Sequence, residues 1–185
     1  MSKVFIAGSI TIKNLTDDFL NRINNIVDNN FTILVGDASG VDLSVQEHLR
    51  NLCADNVFVY CSGIQPRNNV NSWPVRAVSA ASKEGTRAFF SAKDKAMAAE
   101  ADFGLMVWDK KSTGTLSNVI EMVRDRKKVA VYLNKDRHFI DIKTPDELDV
   151  LVSYMSDGAR DLAEKKIQLS SKLSSVRSVQ LGLAL

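Results

Sequence analysis

The stretch Ala101–Leu133, ADFGLMVWDKKSTGTLSNVIEMVRDRKKVAVYL, decides the fold. An apolar run, Phe103–Trp108, reads as a buried strand and ends on an acid, Asp109. A loop of small residues follows: Ser112, Thr113, Gly114 and Thr115. The spacing then predicts a helix from Gly114 to Arg126 and a second buried strand over Val129–Leu133. Strand, small-residue loop, helix and strand in that order place free amides and the positive end of a helix dipole at the carboxyl edge of a sheet. Such an edge suits a phosphate, and the chain is read from here as one that handles a nucleotide or a similar anion.

The same alternation extends upstream. Lys3–Ala7 is a short strand ending at Gly8 and Ser9, and the helix that starts at Thr16 carries Leu20, Ile23, Ile26 and Val27 at helical spacing. Phe31–Val35 and Asn56–Cys61 are further strands, separated by a helix holding Val41, Val45, Leu49 and Leu52. Ser62–Ser91 is irregular, with a short helix expected over Val75–Lys83, and Ser91–Ala101 is helical from its Ala, Lys, Met and Glu content. Apolar strands alternating with helices predict an open parallel sheet covered on both faces.

Downstream, His138–Ile142 is expected as an edge strand. Thr144, Pro145 and Glu147 form a helix start, with Thr as N-cap, Pro at the first position and Glu at the third. From Asp157 onward Leu162, Ile167, Leu169, Leu173, Val176, Val179 and Leu183 make an imperfect apolar stripe. We therefore divide the chain into an α/β domain, 1–143, and a C-terminal helical extension, 144–185, that either packs back or joins a second copy in a homo-oligomer.

Bulk composition narrows the function. The 185 residues are 45% hydrophobic and 25% charged, ordinary for one core of usual size. Lys and Arg number 24 against 22 Asp and Glu, and no basic run stands out, which argues against a nucleic-acid partner. No charged-then-apolar leader and no run near the ~20 residues of a membrane span appear, so a cytoplasmic protein without membrane contact is expected. Cys53, on a predicted helix, and Cys61, ending a strand, read as small hydrophobes, Cys61 also as a candidate reactive thiol. His48 and His138 lack any partner pattern, so no metal site and no cofactor are expected.

Ligands of open parallel sheets lie beyond the carboxyl ends of the strands. The residues leaving those ends are the candidate ligand set: Gly8 and Ser9; Gly36, Asp37, Ser39, Gly40 and Asp42; Asp109; Ser112, Thr113, Gly114 and Thr115. Asp37 or Asp42 can take a ribose hydroxyl, while Ser39 and Asp42 can also serve simply as helix caps. Arg67, Arg76, Arg87 and Lys93 are candidate cations, with Arg87 favoured because Phe89 and Phe90 flank it. Trp73 and Trp108 are either core or a stacking surface for a base. There is no G-x-x-x-x-G-K-[ST] and no G-x-G-x-x-G.

Phe5–Ser9 (FIAGS), Gly36–Asp42 (GDASGVD) and the Ala101–Thr115 segment together resemble the SLOG superfamily. So does the order Trp73, Gly85, Arg87, Lys93, Asp94, Met97. The resemblance covers roughly residues 3–133 and implies a Rossmann-like fold with a nucleotide site at the strand exits. That group includes phosphoribohydrolases, which cleave the N-glycosidic bond of nucleoside monophosphates, and the DNA-processing protein DprA. The enzymes carry G-T-x-x-E; here Gly114 and Thr115 match and Asn118 stands where the Glu would be. The resemblance thus adds Asn118 to the ligand set. The leading expectation is a domain that senses or sequesters a nucleotide-type small molecule. The alternative is a nucleotide N-glycosidase or deoxyribosyltransferase-like enzyme. Its oxocarbenium-like transition state needs a carboxylate, for which Asp109, Asp37 and Glu121 are the candidates.

Overall fold

The computed structural model describes residues 1–182, with side chains through 179. Its centre is a seven-stranded sheet in the order β4-β3-β2-β1-β5-β6-β7. The strands are β1 (Lys3–Gly8), β2 (Thr32–Gly36), β3 (Val57–Ser62), β4 (Val75–Val78), β5 (Phe103–Trp108), β6 (Lys128–Leu133) and β7 (His138–Ile142). All pair in parallel except β7, which returns antiparallel to β6 with Leu133 opposite His138. The helices are α1 (Asp17–Asp28), α2 (Val41–Asn51), α3 (Arg87–Glu100), α4 (Thr113–Arg124), α5 (Pro145–Ser153), α6 (Asp157–Ile167) and α7 (Leu169–Gly182). This is an α/β protein with a Rossmann-like sheet.

Strand alternation sorts two cores. Val4 and Ile6 of β1, with Ile33, Val35, Val57, Val59, Leu105 and Val107, face α1 and α2. Phe5 and Ala7, with Leu34, Tyr60, Met106, Trp108, Val131 and Leu133, face α3 and α4. The same core takes in Leu148 and Leu151 of α5, Ala159, Ala163 and Ile167 of α6, and Leu169 and Val176 of α7. The C-terminal stripe is therefore spent largely on the chain's own sheet. Leu162 and Val179 are exposed, and Leu183 lies outside the described residues.

Two local expectations need correcting. The short helix over Val75–Lys83 is instead β4, a parallel edge strand whose register runs Val59 to Val75 and Ser62 to Val78. Sheet pairing outweighs local propensity here: the Pro74 carbonyl accepts from Val59 N (3.0 Å), and the Arg76 guanidinium lies 4.7 Å over the Phe58 ring. Cys53 is not on a helix and not a core residue. It is exposed, just past α2, at φ 52°. The start of α5 forms as read, with Thr144 and Glu147 closing a capping box behind Pro145. No helix among the described residues is long and apolar enough to cross a membrane.

Candidate functional site

After β1 the chain builds sheet outward to one side, through β2, and later returns to place β5 on the other side of β1. Where the order reverses, the loops beyond β1 and β5 diverge and leave a crevice. A cleft of about 840 Å³ opens there, lined by Gly8 and Ser9, by Asp109, by Ser112–Thr115, and by side chains from α3, α4 and α6. That volume lies within the usual range for small-molecule sites.

Asp109 organises the cleft's central loop. One carboxylate oxygen accepts from the Lys111 and Ser112 amides (2.9 and 2.6 Å). The other accepts from the Ser9 and Thr11 hydroxyls (2.8 and 3.1 Å). Burial pushes the Asp109 pKa up, but these amides and hydroxyls outweigh it and hold the group below the ordinary carboxylate value. Ser112 is the N-cap of α4 and accepts from the Thr115 amide (3.4 Å), while its carbonyl accepts from the Trp108 indole (3.0 Å). Trp108 is thus core that also anchors the loop, and Trp73 is core whose indole donates to the Ala54 carbonyl.

What this arrangement leaves open is specific. The amides of Thr113 and Gly114, in the first turn of α4, have no acceptor among the described residues. The Thr113 hydroxyl and the Asn118 carboxamide also lack hydrogen-bond partners there, although each residue is only 8% exposed and both line the cleft. What little of these two residues is exposed opens on the cleft. Two amides, a hydroxyl and a carboxamide thus face one space. Gly114 has ordinary helical backbone, and a Cβ there would meet nothing nearer than Ser112 Oγ at 4.0 Å, so the fold itself does not demand glycine.

Beside this loop lies a buried charge cluster. Lys93 falls on the buried face of α3 between Phe89 and Met97 and is 4% exposed. Its ammonium contacts Asp94 (2.8 Å), Asp42 (3.5 Å) and Asp37 (3.9 Å). Burial pushes the Lys93 pKa down, yet Asp94 and Asp42 more than offset this and keep it above the usual lysine value. Burial dominates at Asp42 and pushes its carboxyl up. Asp37 is held below the ordinary value because Arg67 outweighs its burial: the guanidinium bonds both Asp37 oxygens (3.0 and 2.6 Å) and the Arg67 amide adds a third bond (3.0 Å).

This cluster corrects several expectations. Asp37 is consumed by Arg67 and Lys93 and does not line the cleft. Gly36 is glycine because a Cβ would overlap Lys93 Nζ and Asp42 Oδ2. Gly40 is glycine because it sits at φ 77° and a Cβ there would overlap the Ile10 backbone. Neither glycine, nor exposed Ser39, reaches the cleft, and Ser39 does not cap α2, whose N-cap is Gly40. Glu121 lies further along α4, paired with Lys172 and Arg124. Of the three candidate carboxylates only Asp109 lines the cleft, with both oxygens already occupied.

Gly8, Ser9, Asp42, Arg87, Asp109, Ser112, Thr113, Gly114, Thr115 and Asn118 do come together around one space. Arg87 is exposed at the start of α3, on the side of the helix that Phe89 leaves to solvent. The sequence reading missed Thr11, Lys111, Lys135, Leu162 and Lys166, which also line the cleft. It also missed the burial of Lys93, although Phe89, Lys93 and Met97 recur at helical spacing and carried that signal.

No family model matches the chain, and no curated protein does. Among solved structures, the fold is similar to that of DNA processing protein A from Helicobacter pylori, described for its unique single-stranded DNA binding mode. The TM-score is 0.53 at 21% sequence identity, over 70% of this chain and 64% of that one, so this chain spans under two thirds of its neighbour's length. This neighbour overturns the expectation, drawn from charge, of no nucleic-acid partner: that protein binds single-stranded DNA, and a near-neutral total charge says nothing of how cations are distributed around one cleft.

Proposed function

We propose that the chain is a SLOG-type domain that binds a nucleotide, with a phosphate group on the first turn of α4. One observation carries this reading: the Thr113 hydroxyl and Asn118 carboxamide, on residues only 8% exposed, have no protein partner and share the cleft with the unsatisfied amides of Thr113 and Gly114. A phosphate oxygen satisfies such donors together, in the field of the helix dipole. The reading favours binding over glycosidic cleavage, since Asp109 is engaged by four donors and Asn118 offers an amide rather than a carboxylate.

A second reading, a single-stranded nucleic acid in the same cleft, is favoured by the fold shared with DNA processing protein A. Titration of ¹⁵N-labelled protein with a nucleotide panel and a short single strand tests both. Shifts confined to the Thr113 and Gly114 amides and the Asn118 side chain support the nucleotide. Thr113→Val, which keeps the shape and removes the hydroxyl, should weaken binding by about three- to tenfold, the worth of one hydrogen bond. It should leave the melting temperature nearly unchanged, because the hydroxyl has no partner in the protein to lose. Silence at these amides with every nucleotide overturns the reading.

A further inference from the structure

The cleft's outer wall comes from α6, in the C-terminal extension. That helix turns Ala159, Ala163 and Ile167 to the core. Leu162 and Lys166, one turn apart on an adjacent stripe, line the cleft instead. Lys111, from the loop after β5, and Lys135, from the turn between β6 and β7, line it too. Arg87, Lys111, Lys135 and Lys166 are all exposed, and none has an ion-pair partner among the described residues. Counting Arg67 and Lys93, six cations line the cleft against the three carboxylates Asp42, Asp94 and Asp109, with Asp37 a fourth behind them. Arg67 and Lys93 offset two of the four carboxylates and neutral donors hold Asp109, so the site as a whole keeps an excess of positive charge, and the cations without ion-pair partners stand at its mouth.

One phosphate on α4 uses the inner donors and leaves the mouth unmatched. We propose that α6 completes the binding site and that the ligand is a nucleotide bearing at least two phosphate groups. The inner phosphate sits on Thr113, Gly114 and Asn118, and the outer negative charge is met by Lys135 and Lys166. Leu162 supplies apolar contact beside them. This rests on the nucleotide reading above and extends it to the class of nucleotide. It also gives the extension a part in recognition that its sequence, read as an appendage, did not disclose.

Calorimetric titration of the full chain with the mono-, di- and triphosphates of the four common nucleosides tests it. For a base that binds, the di- or triphosphate should bind about tenfold more tightly than the monophosphate, the worth of a charge-assisted contact. In Lys135→Gln/Lys166→Gln, both at exposed positions, that preference should fall below about twofold while monophosphate affinity holds. Equal affinity for all three phosphorylation states, or a preference that survives the double substitution, overturns the proposal and leaves the nucleotide reading standing. Failure of every nucleotide to bind overturns the nucleotide reading itself. A thymidine tetranucleotide bound more tightly than every mononucleotide overturns the proposal in favour of a strand.

Discussion

Lys93 is the residue on which the floor of the cleft depends. Its ammonium is the cation that faces buried Asp42 and partly exposed Asp94, so removing it leaves Asp42 buried without a counter-charge. Lys93→Met should cost about 3–5 kcal/mol in chemical denaturation, and adding Asp42→Asn should recover part of that loss. Asp37 sets the acid limit. Its pKa is held below the ordinary 3.8, so its stabilising share is fully present above that value and is lost as pH falls through the lower folded value. Between about pH 5 and pH 2 the denaturation midpoint of Asp37→Asn should therefore fall less steeply than that of the parent. At this scale charge burial was half legible: the helical spacing of Phe89, Lys93 and Met97 carried a signal for Lys93, while nothing local to Asp37 shows its pairing with Arg67, 30 residues on.

Among the elements, α4 carries the tension between fold and site. Gly114 stands in its first turn where alanine fits. Gly114→Ala should raise stability by up to about 1 kcal/mol by helix propensity and weaken nucleotide binding, because a methyl group then stands where the phosphate approaches. Parallel thermal melts and titrations check both signs. Elements were the most legible level. Strand–loop–helix alternation announced the parallel sheet, and Thr144-Pro145 announced the start of α5, since both are written in local spacing. β4 was not legible, because Val75–Val78 becomes a strand only through pairing with β3. The loop at Ser112–Thr115 reads as a phosphate cradle, and its Thr113 and Gly114 amides have no acceptor among the described residues. The loop at Gly36–Asp42 looked equally suitable, but its glycines answer to Lys93 and the Ile10 backbone.

For the whole molecule, the decisive fact is that α5, α6 and α7 share one core with α3, α4 and the sheet. The boundary read near residue 143 is a change of architecture along the chain, while the apolar packing runs across it. Val176→Asp, placed where Val176 is 1% exposed, should lower the single unfolding midpoint rather than produce a separate early transition of the tail. Near- and far-ultraviolet circular dichroism melts that coincide check this; two resolved transitions would count against it. The cations at the cleft's mouth were illegible for the same reason, since Lys111, Lys135 and Lys166 are far apart in the chain and meet only when the tail folds over α4.

A Cβ at position 36 would fall on the tip of Lys93 and the carboxylate of Asp42, so the three positions constrain one another through inheritance. A descendant that gains a side chain at 36 must move or shorten the residues at 42 and 93 in the same step, and an acid kept at 42 without the lysine is left with the Ala38 amide as its partner. The three positions form a lock that opens only all at once, and any redesign of this cleft has to begin by deciding whether to keep it.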